Sequence, residues 1–230
     1  MGRQITRLDE GDEYGRAREA LRMAEVELTR QREKVADLRR HLSPGAVVQD
    51  YVFEEGPPAL DAGDAPVRQV RLSELFSAPG RPLIVYHLMY GKAQTTPCPM
   101  CTMWIDGFNA VSNHVAQNAD LFVVAAAEVS VLRAHARQRG WDTLRLLSST
   151  GNTFKYDLGS EDETGRQDST VSVFTRSEDG TLRHFYTGHP WFSSEIEQRG
   201  IDLLSPVWHL LDLTPDGRGD WYAALDYDAR

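Results

Sequence analysis

The chain has 230 residues, of which 41% are hydrophobic and 26% charged, and its formal net charge is -9. That composition is typical of a globular protein with one domain and an extension. The basic residues are scattered, which excludes the charge footprint of a nucleic-acid-binding protein or a polybasic membrane anchor. Residues 1–10 lack the apolar core of a signal peptide, and no segment has about 18 consecutive apolar residues. We therefore expect a cytoplasmic protein without nucleic-acid or membrane partners.

The first predicted element is a long helix from about residue 12 to residue 42, free of proline and ended by Ser43, Pro44 and Gly45. Its mainly apolar seam follows alternating steps of three and four, the a and d positions of a heptad. A narrow stripe of this kind needs a partner surface. That surface is either the body of the same chain or the same helix in a homodimer. The seam positions are Tyr14, Ala17, Leu21, Ala24, Leu28, Gln31, Val35, Leu38 and Leu42.

Strand patterns follow the helix. Residues 47–53 and 67–72 predict a β-ribbon ahead of the main sheet. Residues 83–89 form a nearly continuous apolar run, as expected of a central strand buried on both faces. Residues 120–126 predict a second buried strand, parallel to the first if the connecting helix makes the usual right-handed crossover. The later predicted elements are a helix over 130–139, strands over 144–148, 171–175 and 182–187, and a last helix over 201–211.

These elements divide the chain into three parts. We expect an N-terminal helical extension over residues 1–45, a main domain over 46–218 and a C-terminal tail over 219–230 that lies over the body.

The only two cysteines lie three residues apart, where the strand over 83–89 gives way to a helix. With Cys98 as the N-cap, Pro99 is the first helical residue, where its missing N–H costs nothing. Cys101 then lies one turn along, which brings the two sulfurs close enough to join. The helix N-terminus favours the thiolate of Cys98. Cys98 is therefore the candidate attacking thiolate and Cys101 the candidate resolving thiol.

Two other interpretations of this pair stay open, half of a zinc site and inert structural cysteines. A structural zinc site needs four protein ligands, and no second cysteine pair supplies them, so we expect no metal and no cofactor. His87 is either a hydrogen-bonded core histidine or a proton acceptor beneath the dithiol. Trp104, one helical turn past Cys101, is more typical of a core residue than of a contact surface.

The element order is that of the thioredoxin fold, an α/β/α sandwich with a mixed central sheet. Three segments resemble a bacterial thioredoxin-like family, domain of unknown function 899, whose members are described as predicted dithiol-disulfide oxidoreductases or isomerases. That resemblance implies attack by Cys98, resolution by Cys101, a disulfide substrate and an external thiol reductant. The segments are Leu83-Ile-Val-Tyr-His-Leu-Met-Tyr-Gly91, Cys98-Pro-Met-Cys101 with Trp104-Ile-Asp-Gly-Phe108, and Leu211-Asp-Leu-Thr-Pro-Asp-Gly-Arg218.

A second resemblance leads to an alternative. Residues 144–159 and the hairpin after them are similar to the peroxiredoxin branch of this fold. In that family a threonine stands three residues before the peroxidatic cysteine, as Thr95 stands before Cys98, although the proline expected four residues earlier is Gly91 here. Where thioredoxins place a cis-proline before the hairpin, this chain has Ser169 and Thr170. The alternatives are thus a peroxidase acting on a peroxide or a non-catalytic binding module. We predict His87, Thr95, Trp104 and Thr170 as supporting residues of the site.

Overall fold

The computed structural model describes residues 11–191, 193, 195 and 201–227. The chain divides into two units, Met1–Ser43 and Pro44–Arg230. Residues 1–10, for which the sequence predicts no signal peptide, and residues 228–230 of the predicted tail lie outside the described residues. No helix in the described part of the chain combines the length and the apolar character that a membrane span requires.

The first unit contains helix α1, Asp12–Arg40, which ends two residues before the predicted boundary. Acidic residues lie in its first turn and basic residues in its last, the arrangement that complements the helix dipole. No residue of α1 is buried, and Tyr14, Leu21 and Leu38 in the apolar stripe are each more than half exposed. The homodimer through this stripe stays a prediction.

The second unit is built on a mixed sheet that has seven strands within the described residues. The strands are β1 (Val52–Glu55), β2 (Arg68–Arg71), β3 (Leu83–Leu88), β4 (Asp120–Ala125), β5 (Arg145–Ser148), β6 (Thr170–Arg176) and β7 (Leu182–Gly188). They lie side by side in the order β2-β1-β5-β4-β3-β6-β7. Strand β3 is parallel to β4 and antiparallel to β6, and β6 forms the predicted hairpin with β7.

Within the described part of the second unit, four α-helices pack against the sheet. They are α2 (Pro99–Val115), α3 (Val129–Arg139), α4 (Phe154–Asp157) and α5 (Pro206–Leu211). Helices α2, α3 and α5 contribute to a core on one face of the sheet. A second core on the other face includes residues of α4 and of the 3-10 helix Leu72–Leu75. These three layers, with the strand order β4-β3-β6-β7 and the parallel β3-α2-β4 crossover, confirm the thioredoxin-like fold.

The predicted β-ribbon ahead of the sheet is wrong in one respect. Strand β1 begins at Val52 rather than at Val47, and it pairs with β5 as well as with β2, so both strands belong to the main sheet. The buried carboxylate of Glu55 in β1 links the three strands, because it forms salt bridges with Arg68 of β2 and Arg145 of β5. The sequence separates these partners too widely for a local pattern to reveal their pairing.

The predicted last helix is also shorter than expected. A 3-10 turn, Asp202–Leu204, precedes α5, and Ser205 caps α5 by accepting a hydrogen bond from the N–H of Val207. Pro206 is the first residue of α5, where its missing N–H leaves no bond unmade. The proline therefore sets the start of the helix, and the first half of the predicted segment is not α-helical.

Candidate functional site

The two cysteines lie at the start of α2, as the sequence predicts. Cys98 is the N-cap, and its sulfur accepts a hydrogen bond from the N–H of Cys101 at 3.4 Å. The N–H of Cys98 donates to the carbonyl of Met89 at 3.1 Å, which ties the start of α2 to the end of β3. Both thiols are free. Cys98 is 8% exposed and Cys101 is 0% exposed, so Cys98 is the sulfur that a reagent reaches first.

The two thiols have opposite acidities. A hydrogen bond from the Cys101 thiol, helped by the N–H groups of Cys101 and Met100, lowers the pKa of Cys98 to about 7. Complete burial raises the pKa of Cys101 well above its ordinary value, and the neighbouring Cys98 raises it further. Near neutral pH, Cys98 is therefore partly thiolate while Cys101 is a neutral thiol that donates to it. This is the division of roles that dithiol exchange requires.

Two aromatic side chains, Tyr86 and Trp104, lie in the same core as Cys101. Tyr86 of β3 is fully buried, and burial first and the Cys101 thiol second raise its pKa well above 10. Its hydroxyl makes no hydrogen bond of normal geometry within the described residues. Trp104 packs against Tyr86 with ring centroids 6.4 Å apart and is almost completely buried. Trp104 thus lies in the core that contains the dithiol rather than on a contact surface.

His87 lies away from the dithiol, which decides between the two interpretations in favour of a core histidine and against a proton acceptor beneath the dithiol. Side chains alternate along β3, so Tyr86 faces the core of the cysteines while His87 faces the opposite core and stacks on Phe154 at 5.2 Å. Its Nδ1 lies 2.7 Å from the hydroxyl of Ser160 and its Nε2 lies 3.1 Å from that of Ser172. Burial first, and then Lys155, hold its pKa well below 6.5. His87 is a neutral, hydrogen-bonded core histidine.

The two threonines predicted as supporting residues are not brought to the sulfurs. Thr95 is exposed in the loop before α2. Thr170 is buried, but it pairs with His87 across β3 and β6 and so shares the face of His87. Gly91 has φ +105°, and a Cβ there would approach the backbone of Ala126 and Ala127 to between 2.2 and 2.5 Å. The proline of the peroxiredoxin motif therefore has no room at this position.

Sequence reasoning missed a buried lysine at the end of β3. Lys155 of α4 is 1% exposed, and its Nζ donates to the carbonyl of Leu88, the last residue of β3, at 2.9 Å. Burial lowers the pKa of Lys155 to about 8, and Cys101 acts electrostatically in the opposite direction. A lysine between Phe154 and Tyr156 gives no local sign of burial, because burial depends on how α4 packs against the sheet.

A C-terminal segment, residues 221–227, also lies beside the dithiol. Ala223 is buried in the same core as the cysteines. Burial first, and then Cys98 and Cys101, raise the pKa of Tyr222. Arg139 of α3 holds the segment by donating to the carbonyl of Leu225 at 2.8 Å. The predicted tail thus contributes to the surroundings of the site, which no motif in the sequence indicates.

The described residues contain no group of three or more His, Cys, Asp or Glu side chains that could hold a metal ion.

A family model described as "Bacterial protein of unknown function (DUF899)" matches residues 4–227. No curated protein matches the chain. The chain is similar to AhpC from Mycobacterium tuberculosis, with 15% identity over 71% of this chain and 89% of that one and a TM-score of 0.49. It is also similar to AhpC from Enterococcus faecalis, with 14% identity, coverage of 70% and 87% and a TM-score of 0.48. A third similar structure is peroxidoxin BcpB from Mycobacterium tuberculosis, with 19% identity, coverage of 71% and 94% and a TM-score of 0.46. The fold assignment rests on the strand order and directions within this chain.

Proposed function

The chain belongs to the bacterial protein family of unknown function DUF899, and for this member we propose a thiol-disulfide oxidoreductase with Cys98 and Cys101 as its redox pair. The observation that carries the proposal is the polarised dithiol at the start of α2. The sulfur of Cys98 accepts the N–H of Cys101 at 3.4 Å and is the more exposed of the two, while Cys101 is sealed in the core. A thiol whose pKa is near the ambient pH is the most effective attacking group in exchange.

The reaction has two steps. The Cys98 thiolate attacks one sulfur of a substrate disulfide R–S–S–R′, forms the mixed disulfide Cys98–S–S–R and expels R′S⁻. The Cys101 thiol then loses its proton and attacks the sulfur of Cys98, which forms the Cys98–Cys101 disulfide and releases RSH. Two electrons pass from the protein to the substrate, and an external thiol reductant returns the protein to the dithiol form.

Single-cysteine variants test the proposal. We expect Cys98→Ser to abolish the dithiothreitol-dependent reduction of a small disulfide. We expect Cys101→Ser to complete the first step only, so that a stable mixed disulfide accumulates on Cys98. Stopped-flow absorbance and intact-protein mass spectrometry measure the two outcomes. An inactive wild type in which both thiols alkylate slowly would instead favour a non-catalytic binding module.

Peroxide is the second substrate to test. A thiolate with a pKa of about 7 beside a neutral thiol also suits oxidation of Cys98 to a sulfenic acid, after which Cys101 condenses with it and releases water. Gly91 and the exposed Thr95 do not reproduce the surroundings of a peroxidatic cysteine. Rapid consumption of a hydroperoxide with loss of two free thiols would make the peroxidase the leading function, and slow oxidation like that of a free thiol would remove it.

A further inference from the structure

Helix α1 carries an apolar stripe along its length. None of its residues is buried, and Leu21, Leu28 and Leu38 are between 55% and 60% exposed. A contiguous exposed row of large apolar side chains marks an interaction surface on a protein. The stripe needs an occupant, because a helix in a protein gains most of its stability from packing an apolar face.

The stripe keeps a seven-residue repeat from Tyr14 to Leu42. A straight α-helix drifts by about 20° per heptad against such a repeat. A helix that packs on a globular body follows its natural period of about 3.6 residues, whereas a strict seven-residue repeat is typical of two helices that supercoil. The period therefore favours a second helix over the body of the same chain. The first row of the stripe contains Tyr14, Leu21, Leu28, Val35 and Leu42, and the second row contains Ala17, Ala24, Gln31 and Leu38.

The sizes of the stripe residues favour an antiparallel pair of α1 helices. In a parallel pair each row packs against itself, so Ala17 would meet Ala17 and Ala24 would meet Ala24. Two facing alanines leave a gap in the seam, and a gap of that kind costs stability. In an antiparallel pair a residue of the first row packs beside one of the second row, and the first row contains no alanine. The layers are then Ala17 with Leu42, Leu21 with Leu38, Ala24 with Val35 and Leu28 with Gln31, each formed twice.

The charged residues beside the stripe complement one another in this register. Residues that flank the seam of a coiled coil face their counterparts on the second helix, where opposite charges set the partner and the orientation. Acidic residues near the middle of α1 then lie beside basic residues of the second copy, and a repulsive pair lies only at the ends. The attractive pairs are Glu27 with Lys34 and Glu25 with Arg32, each formed twice, and the repulsive pair is Arg18 with Arg39.

Other antiparallel registers gain less from the same residues. A slide of one heptad that moves the centre of the overlap towards the N-terminus would place Glu25 beside Glu25 and Glu27 beside Glu27, and like charges in contact are costly. A slide of two heptads in that direction would leave Val35, Leu38 and Leu42 uncovered. The charges suit a parallel pair as well as this antiparallel one. The charges therefore select the register, and the alanines select the direction.

We propose that α1 pairs with α1 of a second copy of this chain as an antiparallel two-stranded coiled coil, in the register that packs Leu28 beside Gln31. The pair is a closed two-fold dimer, whose axis passes between Thr29 and Arg30. Glu27 also meets Arg30 of its own helix at 3.5 Å, but an exposed pair of this kind contributes little. The second copy supplies the surface that the stripe lacks, and the dimer is independent of the redox chemistry of the dithiol.

Sedimentation equilibrium of the whole chain tests the dimer. We expect the wild type to associate reversibly to a dimer and Leu28→Glu to be monomeric at the same concentrations, because the variant places a charge in the centre of the seam. Leu28 is exposed within one copy, so the circular dichroism of the body should not change. Met23→Glu, at an exposed position of α1 away from the seam, should remain a dimer. A monomeric wild type, as expected of a helix docked on its own body, or a Leu28→Glu variant that still dimerises, would overturn the proposal.

Charge reversal tests the direction of the pair. Lys34→Glu places a second carboxylate beside Glu27 of the other copy, so the dissociation constant of the dimer should rise about tenfold. In a parallel pair the same change would meet Arg39 and tighten the dimer. Glu27→Lys should weaken the dimer similarly, and an equimolar mixture of the two variants should recover the wild-type affinity, because each pair again joins opposite charges. Glu33→Lys, at an exposed position outside the seam, should have no effect. A tighter Lys34→Glu dimer, or a mixture no stronger than its components, would exclude the antiparallel arrangement.

Discussion

His87 and Cys101 are buried on opposite faces of the sheet, and their surroundings differ. On one face, His87 has both ring nitrogens within hydrogen-bond distance of serine hydroxyls and its ring stacked on Phe154. On the other, Cys101 is buried beside the hydroxyl of Tyr86, which has no partner of normal geometry in the described residues. A fully satisfied buried group stabilises the fold, whereas an incompletely satisfied one is where chemistry is to be sought. From this comparison we expect a structural role for His87 and reactivity at the dithiol.

Cys98→Ser has the largest expected effect and tests the reactivity of the dithiol most directly. The variant removes the more accessible of the two thiols, which is 8% exposed against 0% for Cys101, so rapid modification of the native protein by iodoacetamide should disappear. Cys101→Ser keeps that reactivity and serves as the control. Quantification of modified protein by mass spectrometry measures the loss. Rapid modification of native Cys98→Ser would mean that Cys101 is accessible and that the assigned roles are reversed.

His87→Ala should lower stability without affecting the dithiol. The change removes the stacking on Phe154 and leaves the hydroxyls of Ser160 and Ser172 without their histidine partner, so we expect the free energy of unfolding to fall by about 3 kcal/mol. Urea denaturation at pH 7.5 measures the change, and His114→Ala, at an exposed position of α2, is the matched control. Alkylation of Cys98 should remain close to the wild-type rate. A stable variant with an unreactive Cys98 would contradict the comparison.

The pH dependence of stability tests the structural role of His87. The folded state holds the pKa of His87 well below 6.5, so the unfolded chain binds the proton more readily. The contribution of this neutral histidine is fully present above about pH 6.5 and is lost as the pH falls. Wild-type stability should therefore decrease below that pH, and His87→Ala should decrease less steeply. Burial also lowers the pKa values of His135 and His184. These two histidines account for the pH dependence of stability that remains in His87→Ala.

Cys101→Ala should move the reactivity of Cys98 to higher pH. The thiol of Cys101 is the largest cause of the low pKa of Cys98, about 7 instead of 9. Without that donor, the midpoint of the alkylation rate against pH should rise, because burial raises the pKa of Cys98 and only the backbone N–H groups at the start of α2 still oppose it. At pH 7 the thiolate fraction, and with it the rate, should fall up to about tenfold for each pKa unit of the rise. An unchanged midpoint would show that the helix N-terminus alone sets the acidity.

Tyr86→Phe gives the smallest expected effect. It removes a buried hydroxyl without a hydrogen-bond partner of normal geometry, so the free energy of unfolding should stay constant or rise by at most about 1 kcal/mol. Chemical denaturation measures the difference, and Tyr14→Phe, at an exposed position of α1, gives the baseline. A loss of more than about 1 kcal/mol would show that the hydroxyl does make a stabilising hydrogen bond, of which the sulfur of Cys101 is the candidate acceptor.

The parts of the fold that the sequence predicts well are those set by local patterns. The buried strand β3, the capping of α2 by Cys98 and Pro99 and the end of α3 at Gly140 each follow from a few adjacent residues. The pairing of β1 with β5 joins Glu54 to Ser148, and no local pattern specifies it. The burial of Lys155 is of the same kind, since it depends on how α4 packs.

The sequence predicts the positions of the two cysteines, but it does not predict most of the residues that surround them. The spacing of Cys98 and Cys101 defines their positions on a helix. Alternation along β3 shows that Tyr86 and His87 face opposite sides of the sheet, but it does not show which side α2 covers. That choice is made by the crossover between β3 and β4, and it decides that the tyrosine rather than the histidine lies beside the dithiol.

The segment 221–227 has a consequence for how Cys98 meets its reagents. It comes from far along the sequence, and its attachments include one hydrogen bond from Arg139 and the packing of Trp221 on Trp208 at 5.4 Å. Segments with few attachments open locally at much lower free energy than the whole molecule unfolds. Reagents should therefore reach the sulfur of Cys98 at a rate set by the local opening of residues 221–227. Amide hydrogen exchange near Tyr222 should predict that rate better than the free energy of global unfolding does.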